Sequence, residues 1–202
     1  MLETLLQPYS ESDKISLLIR HSNRYDIQRG TDGMKALLTE QGKVNASLFG
    51  EKLSKYRINK IITTPVERCI ETAECIVKGY GKNIEIAPSD KFGGLHMTDR
   101  QLANDFINTH GYDEWYRNIL ADIPTPGICG TDRYKELTTN FLVENTNNPG
   151  TTIFISHDFL IAFYHYALNR TVYTMFSDWV SYLSGLVFKN GQAENAVRFQ
   201  NN

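Results

Sequence analysis

Apolar positions first gather in a short run, Ile15-Ser16-Leu17-Leu18-Ile19, which breaks off into Arg20-His21-Ser22-Asn23-Arg24. Such a run, bounded by polar residues, predicts a strand buried on both faces, as in a parallel sheet covered by helices. The pattern recurs at 58–63, followed by Thr64-Pro65-Val66-Glu67-Arg68, and at 151–156, followed by His157-Asp158. A weaker strand is read at 83–87. Ligands of open α/β sheets sit beyond the carboxyl ends of the strands, where all three polar clusters would lie.

Helical spacing fills the gaps. Thr39 is read as the cap of a helix that buries Val44, Leu48, Leu53 and Tyr56. In the next helix Thr64 would cap, Pro65 take the first position and Glu67 reach back as a capping-box partner. Its buried stripe is read as Val66, Ile70, Ala73 and Val77, with Gly79 and Gly81 ending it. Residues 88–130 read as a helical insertion forming one wall of the site. It carries one pattern from Thr98, with Gln101 as capping partner, and a second over 112–120. Pro124, Pro126 and Gly127 close it, and Thr131 caps a helix bearing Tyr134, Leu137, Phe141 and Leu142. An apolar helix follows at 159–168. Residues 185–189, Asn190-Gly191 and 196–199 spell a hairpin with a type I′ turn at an antiparallel edge. The fold class expected is α/β, a three-layer α/β/α sandwich. Its sheet is mainly parallel with an antiparallel C-terminal edge, in one domain over 1–202.

Composition narrows the function. With 202 residues and 41% apolar content, a sizeable core is available. A net charge of −2 and the absence of any Lys/Arg run argue against a nucleic-acid or acidic-membrane binder, so an anion site must be local. Cys69, Cys75 and Cys129 are an odd set without metal-ligand pairing, which suits a reduced intracellular chain. Residues 1–14 hold no long apolar core and no run reaches membrane-spanning length, so a cytoplasmic location is expected.

A histidine flanked by arginines is poorly placed for a metal cation and well placed for phosphate, which guanidinium groups grip through paired, charge-assisted hydrogen bonds. The three strand ends would bring His21, His157, Arg20, Arg24, Arg68 and Asp158 to one edge of one sheet. Each has a plainer reading alone. His21 would be structural, Arg68 a solvated helix residue, Arg24 the partner of an acidic neighbour, and Asp158 a helix-start carboxylate. His96, His110 and His165 read as surface or packing residues, and Cys69 and Cys75 as core. The aromatic stretch 164–179 reads as core, with Tyr173 or Trp179 able to meet a leaving group.

Four segments in order carry a family resemblance: Leu18-Ile19-Arg20-His21-Ser22, the Leu-Thr-x-x-Gly segment at 38–42, the Thr-Pro-x-x-Arg-x-x-x-Thr-Ala segment at 64–73, and Ser156-His157 after a strand. The chain resembles the histidine phosphatase superfamily, the phosphoglycerate mutase-like fold. It also shares features with the acid phosphatase branch: the Arg-His-x-x-Arg opening and the Asp after the second histidine. The resemblance implies a phosphohistidine mechanism without metal or cofactor. His21 is the implied nucleophile, with Arg20, Arg24, Arg68 and His157 around the phosphoryl group. Ser22 stands in place of the usual glycine and offers a hydroxyl to phosphate. Asp158 is the expected proton donor and Asp90 the runner-up, since the stretch after the third strand holds no glutamate. The expected activity is hydrolysis of a small-molecule or phosphoprotein monoester. The alternatives are a phosphomutase of the same fold and a non-catalytic phosphate-binding protein. The loop 25–35 and the insertion would set the substrate, and the edge hairpin offers a pairing surface for a homo-oligomer.

Overall fold

A computed structural model describes residues 10, 12–27, 33–174 and 177–199. Residues 1–9 and 11, on which much of the expectation about a leader falls, lie outside the described residues, as do 28–32 of the expected loop and 175–176 of the aromatic stretch.

The strand runs fold as read. They give β1 (Lys14–Arg20), β2 (Ile58–Thr63), β3 (Glu85–Pro88), β4 (Gly150–Ser156), β5 (Gly185–Lys189) and β6 (Gln192–Phe199). The sheet order is β3-β2-β4-β1-β5-β6. Parallel pairing joins β1 to β4, β4 to β2 and β2 to β3, while β5 and β6 add an antiparallel edge. Asn190 and Gly191 both have positive φ, at 55° and 72°, as a type I′ hairpin turn requires.

Helices cover both faces. On one lie α1 (Glu40–Lys52) and α2 (Glu67–Tyr80), packed on Ile15, Leu17, Ile19, Ile61, Ile153 and Ile155. The other face carries α3 (Asp90–Gly93), α4 (Arg100–Leu120), α5 (Thr131–Asn145) and α6 (Asp158–Asn169), packed on Leu18, Ile62, Phe154, Leu186 and Phe188. Alternate residues of β1 thus feed opposite cores, which makes its apolar run nearly continuous.

Several helical details differ from the reading. Thr39 does cap α1, accepting from Gly42 N at 3.0 Å, but Val44 and Leu48 are exposed. The buried face is Gly42, Ala46, Phe49 and Gly50, continued by Leu53. Small residues lie inward because α1 and α2 meet backbone to backbone. A Cβ at Gly50 would strike the Ile76 carbonyl, and one at Gly79 the Ser47 carbonyl. Gly79 is therefore a contact inside α2, whose end is Gly81 with φ 76°. The stripe of α2 is Cys69, Thr72, Ala73, Ile76 and Tyr80, with Ile70 and Val77 only partly buried. Its N-cap is Val66, without a side-chain cap bond, because Thr64 is engaged elsewhere. In the insertion Asp99 caps α4, not Thr98, by accepting from Leu102 N at 3.0 Å. The two expected helical patterns run into one another but are broken at Gly111, with φ 79° and ψ 170°. Gly130 occupies the N-cap of α5, one residue before Thr131.

Gly79→Ala is expected to lower the unfolding free energy in urea by about 2–3 kcal/mol, because the rigid backbone of α1 leaves no room for the methyl group. Gly81→Ala, with open space but a left-handed backbone, should cost about 1–2 kcal/mol. A wild-type midpoint for Gly79→Ala would show that the helices do not approach this closely.

Candidate active site

The parallel register of β1 and β4 pairs Arg20 with Ser156, so the two chains leave the sheet side by side. His21 N donates to Ser156 O at 3.0 Å, and Thr64 N to Ile155 O at 3.1 Å. His21, Thr64 and His157 therefore emerge at one level, and the first turn of α2 adds Arg68.

Arg68 is the hub. Its Nε donates to His21 Nε2 at 3.1 Å, its Nη2 to His157 Nδ1 at 3.2 Å and its Nη1 to the Gly33 carbonyl at 2.6 Å. All three acceptors are neutral, and among the described residues no carboxylate pairs with Arg68 within 4.0 Å. Desolvation pushes the guanidinium below its usual range.

Because Arg68 is donor only, its bonds assign the tautomers of both imidazoles. His21, 2% exposed, donates from Nδ1 to the Ser22 carbonyl at 2.7 Å, which leaves a lone pair on Nε2. His157 accepts on Nδ1 and donates from Nε2 to Thr64 Oγ1 at 3.1 Å. The rings lie 5.5 Å apart, edge to face. Burial first, then neighbouring positive charge, holds both imidazoles well below the ordinary histidine range, so both are neutral near pH 7.

Arg20 is held on three sides. Nη1 donates to the Val180 carbonyl at 2.7 Å, Nη2 pairs with Asp158 Oδ2 at 2.8 Å, and the guanidinium lies 4.0 Å from the centre of the Tyr182 ring. Its buried Nε has no partner. Asp158 accepts through both oxygens, from Arg20 and from Phe159 N at 2.8 Å, which is the helix-start bond of the plainer reading. Arg24 donates from Nη1 to the Tyr25 carbonyl at 2.8 Å. Its charge reaches Arg20, Arg68 and His157.

Three expected residues stand apart. The hydroxyl of Ser22 donates to the Gly42 carbonyl at 2.7 Å and its N–H to Thr72 Oγ1 at 3.0 Å, so it is a buried strut to α1 and α2 rather than a phosphate contact. Asp90 is exposed in the first turn of the short α3. Tyr173 is buried in the core, its hydroxyl 3.0 Å from His165 Nδ1, and does not face the cluster. Of the other histidines, His96 stacks on Trp115, while His110 is on the surface beside Glu114. The Cys69 thiol lies behind His157, pushed up to about 12 by burial, and is an inert core group.

Four residues of the cluster were read otherwise or not at all. Thr64 orients His157 instead of capping a helix. Thr72 fixes the backbone at Ser22. Tyr182 faces Arg20 and lies 5.7 Å from His21. Tyr112 sits by Arg68 and Asp158. Only Tyr112 carries a signal in the sequence, the glycine that interrupts the helical pattern just before it.

The family model described as histidine phosphatase superfamily (branch 1) matches residues 17–184, from β1 to the start of β5. The chain belongs to this superfamily. Its members catalyse phosphoryl transfer, and both mutases and phosphatases are among its relatives. A protein of Photorhabdus laumondii subsp. laumondii, named probable phosphoglycerate mutase GpmB, is 28% identical over 135 residues, 65% of this chain and 62% of that protein. The match thus spans less than two thirds of that relative's length. Among solved structures, phosphoglycerate mutase from Bacillus anthracis str. Sterne superposes with a TM-score of 0.61 at 15% identity, covering 94% of this chain and 93% of that one. A mycobacterial glucosyl-3-phosphoglycerate phosphatase gives 0.58 at 16% identity, over 93% and 96%. The protein histidine phosphatase SixA gives 0.56 at 14%, over 92% and 94%. At these identities the structural likenesses establish the fold. Among the described residues no helix is long and apolar enough to cross a membrane.

The buried histidines set an acid limit on stability. His21 and His157 lie well below 6.5, and His96 and His165 at about 4. Above pH 6.5 all are neutral in both folded and unfolded chains. Between 6.5 and 4 the unfolded chain binds protons that the folded chain refuses, so stability falls as pH falls. The urea midpoint at pH 5 is expected to lie below that at pH 7.5, with a shallower decline in His165→Phe. An unchanged midpoint would mean the imidazoles are free to charge in place.

Proposed function

We propose that the protein is a phosphomonoester hydrolase that works through a phosphohistidine at His21 and needs no metal. One observation carries this reading: Arg68, without a carboxylate partner among the described residues, donates at once to His21 Nε2 and His157 Nδ1. An arginine so held is stabilised by an anion placed between the two rings, and a phosphoryl group fits the charge and the geometry.

As substrate binds, the Nε–H of Arg68 passes from His21 Nε2 to a phosphoryl oxygen, and His21 attacks phosphorus with the freed lone pair while the Ser22 carbonyl, accepting from Nδ1–H, stabilises the positive charge that develops on the ring. As the bond to the leaving oxygen breaks, Arg20, Arg24 and Arg68 balance the charge on the phosphoryl oxygens, and His157, held by Thr64, orients Arg68 through its Nδ1. These cations supply the charge that Mg²⁺ supplies in kinases. Water then attacks the phosphorus of phospho-His21, releases phosphate and restores the imidazole.

Asp158 is assigned the proton given to the leaving group. Free, it accepts from Arg20 and from its own helix, and an incoming dianion competes with it for Arg20. A phosphomutase is the second reading, supported by the name of the 28% identical relative. The stretch Ser89-Asp90-Lys91, without a glutamate, argues for hydrolysis.

Purified protein in excess chelator is expected to hydrolyse an aryl phosphate, with vanadate inhibiting. His21→Ala should lose at least about a thousandfold in kcat, and Arg68→Gln about a hundredfold or more. Turnover that survives His21→Ala would sink the phosphohistidine, and interconversion of phosphoglycerates without phosphate release would favour the mutase.

Asp158→Asn is expected to slow an alkyl monoester such as glycerol 2-phosphate at least about tenfold more than 4-nitrophenyl phosphate, whose leaving group departs without a proton. Equal slowing of both would remove Asp158 as the acid and leave it as the anchor of Arg20.

A further inference from the structure

We propose that Tyr112 reads the leaving group: its ring is the side of the cleft on which a flat or apolar leaving group packs, and its hydroxyl donates to that group's polar edge. The inference rests on the phosphomonoesterase reading and adds the substrate's chemical class to it.

The placement starts at Gly111. With φ 79° and ψ 170° it breaks the helix, and nothing lies within 4 Å of where its Cβ would be. Glycine is thus required here for the backbone conformation and not for space. The break turns Tyr112 off the track of the preceding turns and onto the start of α6. There its ring lies 5.3 Å from Phe159 and 6.0 Å from Trp115. Phe159 and Trp115 are themselves stacked at 4.3 Å and almost wholly buried, at 5% and 1% exposure, so they form a rigid backing. Tyr112, 53% exposed, is the layer of this stack that meets solvent.

Phe159 directly follows Asp158, so the stack stands beside the Arg20–Asp158 pair. The hydroxyl of Tyr112 interacts electrostatically with both Arg68 and Asp158. Desolvation of its hydroxyl pushes the phenol's pKa above the ordinary tyrosine value, so it stays protonated and acts as a donor. In the phosphomonoesterase reading the cations take the phosphoryl group and Asp158 serves the leaving oxygen, and Tyr112, which interacts with Asp158 and packs on Phe159, is placed to meet what that oxygen carries. A monoester with an aromatic or apolar leaving group matches that wall better than a small polar one, by stacking beyond simple area burial.

Titration calorimetry with phenylphosphonate and methylphosphonate tests this without turnover. Wild type is expected to bind the phenyl compound about five- to tenfold more tightly. Tyr112→Ala should erase that preference while leaving methylphosphonate within about twofold, and Tyr112→Phe should keep it. In turnover Tyr112→Phe should raise KM for glycerol 2-phosphate several-fold with little change in kcat, which a merely structural role would not do. If methylphosphonate and phenylphosphonate bind wild type equally, or Tyr112→Ala weakens both alike, the phosphate site stands and the role of Tyr112 falls. If neither binds wild type, the phosphomonoesterase reading fails and this inference with it.

Discussion

A guanidinium taken out of water without a counter-ion is costly, and among the described residues the hydrogen-bond acceptors of Arg68 are all neutral. Each acceptor is positioned by a different part of the fold. His21 comes from the end of β1, His157 from the end of β4, and Gly33 from the turn before α1. The arrangement exists only because β1 and β4 are parallel neighbours in register, with α2 starting beside them. Shifting β1 by one residue would turn its alternating apolar set to the wrong core and move His21 away from Arg68. The same registry that builds the two cores therefore builds the cluster.

The neutral rings answer to the same charge. Arg20 and Arg68 act on both imidazoles and Arg24 on His157, while among the described residues Arg20 pairs with Asp158, so any further proton on His21 or His157 would add to a positive field. Burial and that field act in the same direction, and the outcome is a lone pair kept on Nε2 of His21. A phosphoryl dianion relieves the excess charge of the arginines and meets the lone pair in the same place. Structural stability and reactivity thus make opposite demands on one group of residues, as expected of an active centre.

Strands and their ends were legible in the sequence because apolar runs are long relative to the noise of single positions. The hairpin was legible because Asn-Gly admits few alternatives. Helix faces were less so. In α1 the expectation followed the large residues Val44 and Leu48, whereas the buried face selects small ones, since a Cβ at Gly42 would strike the Asn23 carbonyl and one at Gly50 the Ile76 carbonyl of α2. Local propensity pointed to Thr64 as a cap, but a buried imidazole N–H nearby claimed its hydroxyl. Ser22 looked like a phosphate contact by its position in the motif, yet Gly42 and Thr72, neighbours only in the fold, engage it fully. Tyr182 lies in a loop whose sequence has no periodicity, so nothing in the chain announced its place over Arg20.

In the proposed mechanism Asp158 is at once a helix-start carboxylate and the proton donor. Its bond to Phe159 N fixes the side chain at the first turn of α6, and its bond to Arg20 orients the guanidinium toward the strand ends. Neither bond needs to break fully for proton transfer, because a carboxyl retains one oxygen as acceptor when the other carries hydrogen. The backbone N–H, which cannot move, is the bond to keep, and the bond to Arg20, a cation with a new anion to serve, is the one to loosen. The proposed mechanism thus couples substrate binding to the proton through one arginine.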